Sequence, residues 1–289
     1  MPLWTNFEYR WLIPLIARLP APLANCANAI RALAMTVGSG DWRKYFGGEI
    51  IKRNRCLAVA EINDYRADHN LTLYRTYLTW CEEETQTVRF FSGKNLPLRV
   101  VGDLNPGQTV FITAHYDFFS AFSCLLEQHS QKGFALGSNI FEHSAVPSAI
   151  SHFYEKKYAK IKSNMVGGVL YLETQMKEVF HLIRKGYHPI LVTDLPPFPK
   201  TKPIPVHLFG KTRLWTGGAA SLAARFRLPI QPYFVETTKH HWTIHLLPCV
   251  FGKKPEDYQP AYQALADQIE KRPQKWFALD LLARYPILE

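Results

Sequence analysis

The sequence predicts an α/β fold with a mostly parallel central sheet and helices on both faces. Three observations carry this. Apolar runs of strand length recur along the chain, at residues 109–114, 189–193 and 230–235. Stretches with apolar residues at helical spacing separate them. The resulting order, β-α-β-α-β-α-β-β-α, is that of strands joined by crossover helices.

The elements follow in order. Residues 11–37 are apolar, but Arg18, Asn25, Asn28 and Arg31 interrupt them, and Pro14, Pro20 and Pro22 break the run. The pattern reads as a short helix, a proline bend and a second helix. These helices either pack as core or lie in a lipid interface with Trp4, Tyr9 and Trp11 at headgroup depth. Glu8 before the apolar run makes a poor signal peptide, and no uninterrupted run reaches the roughly 18–20 apolar residues a bilayer span needs. The expected organisation is residues 1–40 as membrane-associating helices and residues 41–289 as one α/β domain.

From Trp42 to Cys81 the spacing is helical, and residues 87–91 read as a strand. Asn95-Leu96-Pro97 and Asn105-Pro106-Gly107 read as turns. The buried strand 109–114 ends at His115 and is followed by a helix to about Gln128. A short strand at 134–137 and a helix from Val146 to Lys157 come next. Residues 169–172 are a loop or short strand. A helix over 173–184 stops at Gly186, and strand 189–193 ends at Asp194. Five prolines over 195–207 indicate a loop with extended pieces. Residues 217–226 form a small-residue helix, 230–235 and 242–247 an antiparallel pair, and 257–271 a last helix.

Composition narrows the function. Apolar residues at 47% support a sizeable core, and charged residues at 20% argue against disorder. A net charge of +10 suits nucleic acid, anionic lipid or an acidic carrier protein. The cations are dispersed, in short groups such as Arg43 and Lys44, Lys52, Arg53 and Arg55, and Lys156, Lys157, Lys160 and Lys162. No nucleic-acid motif accompanies them, so a membrane surface or an acidic carrier is the favoured partner. Five cysteines without close spacing form neither a disulfide framework nor a zinc site and fit a reducing cytoplasm. His240, His241 and His245 have no carboxylate or cysteine at ligand spacing, so no metal is expected.

In α/β sheets, reactive groups gather at the carboxyl ends of strands. His115 and Asp194 occupy two such ends, and His115 is well placed as a general base. Gly217 and Gly218, just before a helix, are a candidate cradle for an oxyanion or phosphate. Lys157 and Lys160, and Arg213 and Arg225, are candidate contacts to a carrier, phosphate or headgroup.

Four segments resemble the bacterial lipid A biosynthesis lauroyl/myristoyl acyltransferases, within the wider glycerolipid acyltransferase superfamily. Residues 111–120 resemble the family's apolar strand followed by H-x4-(D/E). Residues 190–197 resemble its strand ending in an acid and a proline-rich loop. Phe209-Gly210, Thr216-Gly217-Gly218-Ala219-Ala220, Leu222-Ala223, Arg225, Pro229-Ile230 and Pro232 match a third pattern. Ile269-Glu270, Pro273 and Trp276 match a terminal helix followed by proline and tryptophan. Together they cover roughly residues 95–280. The resemblance implies a glycerolipid-acyltransferase-like fold and transfer of a fatty acyl group from acyl carrier protein or acyl-CoA to a lipid or glycolipid hydroxyl. It also implies His115 as base, no cofactor, and a peripheral place on the cytoplasmic face of the inner membrane.

The sequence departs from the motif inside it, where Asp117 and Phe118 replace the common Gly and Asn/Asp, and at its acid. Five residues after His115 stands Ser120, where the family has Asp or Glu. Three routes remain open. Asp117 substitutes for the acid; Asp194 or Glu173 reaches His115 through space; or Ser120 or Ser123 supports hydrolysis or acyl-serine chemistry, with a non-catalytic acyl-carrier-binding protein as the limit of that route.

Overall fold

A computed structural model describes residues 3–38, 48–137, 147–198 and 201–288. Trp42, Arg43, Lys44, Val146 and Pro199, all used in the sequence reading, lie outside the described residues. The chain forms two compact units, Met1–Leu96 with Asn139–Lys160, and Pro97–Ser138 with Ile161–Glu289.

The first unit is helical. α1 (Leu3–Phe7) passes through a π-helical turn at Glu8–Leu12 into α2 (Ile13–Arg18). Leu19 and Pro20 adopt extended backbone, giving the expected bend before α3 (Ala21–Val37). α4 (Gly48–Tyr65) and α5 (Leu73–Phe91) follow. The Thr72 side chain caps α5 by accepting the Arg75 N–H.

Residues 87–91, expected as a strand, are instead the last turn of α5. Tyr77, Cys81, Glu84 and Val88 are all buried. They recur at three- and four-residue intervals, so one inward helical face runs through the β-branched and aromatic residues and overrides their local preference.

Tyr9, Ile13 and Ala17 pack with Val88 and with Ala149, Ile150 and Phe153. Ala32 and Met35 pack with Tyr77 and Cys81. Arg31 lies buried between Glu8 and Glu84, 2.6 Å from each. Burial disfavours its charge, but Glu84 and Glu8 outweigh that and raise its pKa. Losing one acid would leave a buried charge poorly paired, so the network holds α3 against α5 in one arrangement.

The outward faces of these helices are apolar: Trp4, Phe7, Trp11 and Leu15, then Leu23, Ile30, Leu33 and Val37, are all exposed. Among the described residues, no helix is long and apolar enough to cross a membrane.

The second unit holds the sheets. In chain order its strands are β1 (Leu98–Val101), β2 (Val110–Thr113), β3 (Gly133–Gly137), β4 (Val169–Tyr171), β5 (His188–Val192), β6 (Ile204–Leu208), β7 (Lys211–Trp215), β8 (Ile230–Thr237), β9 (Trp242–Leu246) and β10 (Ile287–Leu288). Its helices are α6 (Phe122–Gln128), α8 (Met176–Arg184), α9 (Gly218–Phe226) and α10 (Gln259–Lys271), while α7 (Ser148–Asn164) belongs to the first unit up to Lys160. The main sheet has seven strands in the order β1-β9-β8-β2-β5-β3-β4.

Strands β8, β2, β5, β3 and β4 are mutually parallel. β9 pairs antiparallel with β8, and β1 parallel with β9. The mostly parallel sheet with helices predicted from the sequence is therefore present, as is the antiparallel pair. The stretch 169–172, ambiguous in sequence, supplies the short edge strand β4.

A second sheet, β10-β7-β6, comes from a region the prolines had disguised. Pro205 sits in β6, which is an edge strand and so needs no donor on its open side. Phe209 and Gly210 make the two-residue turn to β7, both with positive φ, 52° and 72°.

Candidate active site

The site begins at the carboxyl ends of β2 and β5. These are parallel neighbours in the middle of the main sheet, with Thr113 opposite Val192. All four residues of β2 are buried. The pairing continues one step further, where the Thr193 N–H donates to the Thr113 carbonyl at 2.9 Å. That register sets the next residues, His115 and Asp194, side by side.

The Asp194 carboxylate is completely buried and bound on both oxygens. Oδ1 is 2.9 Å from His115 Nδ1. Oδ2 accepts the His115 backbone N–H at 2.9 Å and the Trp276 indole N–H at 2.6 Å. With a carboxylate oxygen as the acceptor, Nδ1 is the ring nitrogen that carries the proton, which leaves Nε2 as the basic one. The His115 side chain is 33% exposed while Asp194 is sealed. Phe119 meets the imidazole edge-on, with centroids 5.7 Å apart.

The carboxy-terminal segment closes this arrangement. The Phe277 N–H donates to the His115 carbonyl at 2.7 Å, and the Tyr285 hydroxyl to the Asp194 carbonyl at 2.9 Å. Burial drives the Tyr285 pKa upward, and the Asp194 charge adds to that, so the phenol stays a donor. The β6–β7 hairpin contributes as well. The left-handed backbone of Phe209 turns its ring inward to lie 6.4 Å from Trp276, and its N–H donates to Glu270. Trp276 stood out in the sequence as part of a terminal pattern. Tyr285 carried no local sign, because its partner is 91 residues earlier in the chain.

The other sequence candidates are placed elsewhere. Asp117, at φ 46°, holds backbone with both oxygens, Oδ1 accepting the Phe118 N–H and Oδ2 the Thr237 N–H, and Oδ2 also lies 3.5 Å from Lys275 Nζ. It locks the loop after β2. Ser120 is buried, and among the described residues its hydroxyl has no hydrogen-bond partner, His115 included. Ser123 donates to the Ser120 carbonyl and accepts from Asn164. No contact joins Glu173 to His115 among the described residues.

Arg213 is buried and donates to the carbonyls of Leu208 and Leu282. Arg225 is exposed and stacks on Phe180 at 4.5 Å. Lys157 and Lys160 belong to the first unit, where Lys157 is ion-paired to Glu83 at 2.6 Å. A Cβ on Gly217 would lie 1.9 Å from the Lys202 carbonyl oxygen, so close backbone approach explains this glycine; Gly218 faces open space. Among the described residues no group of three or more potential ligands could hold a metal.

A buried, doubly bound carboxylate behind an accessible imidazole has the geometry of the Asp-His half of a Ser-His-Asp triad. The sequence pattern described as Bacterial lipid A biosynthesis acyltransferase matches residues 152–281, a span that contains Asp194, Gly217, Gly218 and Trp276. No curated protein matches the chain. Residues 152–281 are thus similar to the bacterial lipid A biosynthesis acyltransferases, a match that supports membership of that family and an acyltransferase activity.

Proposed function

We propose that the protein moves a fatty acyl group from acyl carrier protein or acyl-CoA to a hydroxyl of a lipid or glycolipid, with His115 as general base and Asp194 as the acid that holds it. One observation carries the reading: His115 Nδ1 lies 2.9 Å from a carboxylate that is fully buried and fixed on its other oxygen by two N–H donors. Asp194 thus takes the role that the motif gives to the position occupied by Ser120. In the reaction, Nε2 takes the proton of the acceptor hydroxyl as its oxygen attacks the thioester carbonyl. The tetrahedral intermediate collapses with cleavage of the C–S bond. The new ester C–O bond remains, and the thiolate leaves with the proton returned from the imidazolium.

The amino-terminal helices between Leu3 and Val37 would set the enzyme on the cytoplasmic face of the inner membrane as a peripheral protein. Their exposed tryptophans, leucines and isoleucine support this placement.

The test is single-turnover transfer from radiolabelled acyl carrier protein to a bacterial lipid extract, for wild type, His115→Ala and Asp194→Asn. Wild type should make labelled lipid. Both variants should lose about 10³–10⁴ of the rate, by analogy with triads whose acid or base is removed. Full activity in Asp194→Asn, or label retained on the protein, would defeat the assignment.

A further inference from the structure

The first unit contains a cleft of about 1240 Å3, formed by the helical run at residues 9–18, the end of α5 and the start of α7. Five cations line it, Arg10, Arg18, Arg89, Lys94 and Lys156, against a single carboxylate, Glu155, which pairs with His152. Among the described residues none of the five is ion-paired with a carboxylate. Arg89 is committed to the carbonyls of Ala17 and Leu19, and Arg10 touches the Ser148 hydroxyl at 3.5 Å. Like charges gathered in one concave site repel each other unless an anion joins them. The first turn of α7 opens into the same cleft at Ser148 and Ala149, and a helix amino terminus favours negative charge.

The element that supplies Arg10 and Arg18 also presents apolar residues outward. Arg10, Pro14 and Arg18 recur every four residues, while Trp4, Phe7, Trp11 and Leu15 follow at three- and four-residue intervals beside them. The four apolar side chains are exposed. A ligand with a phosphate at one end and hydrocarbon at the other matches both features of this run.

We infer that this cleft binds the phosphate of an anionic lipid headgroup and so gives the first unit its preference for negatively charged bilayers. The inference rests on the membrane-surface reading above, and the two can fail separately.

The experiment measures binding of the full chain to vesicles of phosphatidylcholine alone and of phosphatidylcholine with about one-third phosphatidylglycerol. At ~1 kcal/mol for each cation near a negative surface, Arg10→Gln, Arg18→Gln and Lys156→Gln together should weaken binding to anionic vesicles about 100-fold. Binding to neutral vesicles should not change. A charge-matched control, Lys185→Gln, Lys239→Gln and Lys253→Gln, should stay within about threefold of wild type. The charge-conserving Arg10→Lys, Arg18→Lys and Lys156→Arg variant should retain anionic binding and thermal stability, which separates lost binding from lost folding.

Equal losses in the cleft and control triples, or no loss in either, would overturn the inference. So would stabilisation of wild type, and not of the cleft triple, by inorganic phosphate while both bind vesicles alike; the cleft would then belong to free phosphate. Wild type that bound neither vesicle would remove the membrane-surface reading and this inference with it.

Discussion

At the scale of single residues, Asp194 is central because it is both sealed and saturated. A buried carboxylate with strong donors on each oxygen keeps its orientation, which is what a base-orienting acid requires. With Asp194 in the role proposed for it, Trp276 would be a positioning residue, acting on His115 through Asp194. In Trp276→Phe, Oδ2 keeps only the His115 backbone N–H. The loss of one charge-assisted hydrogen bond, roughly 1.5 kcal/mol, should lower kcat about tenfold with little change in KM. The less stabilised carboxylate should also raise the His115 pKa, moving the acidic limb of the pH–rate profile to higher pH. A lower kcat with an unmoved profile would mean that Trp276 only supports folding.

Ser120 makes the opposite prediction. Its hydroxyl is buried without a partner among the described residues, so Ser120→Ala removes an unsatisfied group and should be neutral or slightly stabilising. Acyl transfer should stay within about twofold of wild type, because the hydroxyl makes no hydrogen bond to His115. Loss of activity in this variant would revive the acyl-serine route that the sequence left open.

At the scale of elements, the sequence was most legible where one strand signal sufficed. Residues 109–114 and 189–193 read as strands on composition alone, and their final residues read as candidates because reactive groups collect at such ends. That His115 and Asp194 belong together was only one of three routes, because strand adjacency is long-range information. The hairpin of β6 and β7 was hidden by Pro203 and Pro205, since only its edge position makes a proline tolerable. The last turn of α5 failed differently: Thr87, Val88, Phe90 and Phe91 favour a strand locally, and tertiary burial decides for the helix.

The glycine pair shows the same limit. Gly217 and Gly218 look equivalent as a candidate cradle, yet their surroundings differ completely. In Gly217→Ala the new methyl would overlap the Lys202 carbonyl, 1.9 Å away, and backbone on one side or the other would have to move. Denaturant unfolding should show a loss of roughly 2 kcal/mol or more. Gly218→Ala meets nothing and stands at the start of α9, so its stability should be unchanged or higher by a few tenths of a kcal/mol. Equal effects from the two substitutions would argue that the tight approach at Gly217 is not what selects glycine there.

At the scale of the whole molecule, folding of the sheet unit should depend on a second histidine that stands apart from the reaction. His188 opens β5 and ties three parts of the main sheet together. Its Nδ1 accepts the Thr109 N–H just before β2, and Nε2 faces the Gln131 side chain just before β3. With Nδ1 as acceptor, the ring is held as the neutral tautomer that donates through Nε2. Burial is the main influence on its acidity and pushes its pKa below the ordinary value of 6.5. The folded protein therefore resists a proton that the unfolded chain accepts. The stabilisation is fully present above about pH 6.5. It declines as pH falls from there toward the lower folded-state value, by at most about 1.4 kcal/mol per pH unit from this one group. His188→Gln keeps a polar group at the site but cannot titrate. Its unfolding free energy should be lower than wild type at pH 8, because the ring packing and one hydrogen bond are disturbed. The gap between the two proteins should narrow as pH drops through the window below 6.5. Chemical unfolding of both proteins between pH 5 and pH 8, as about six points, gives that difference directly. A constant gap would mean that His188 is protonated as easily in the sheet as in the unfolded chain, and that the acid sensitivity of this fold resides in other groups.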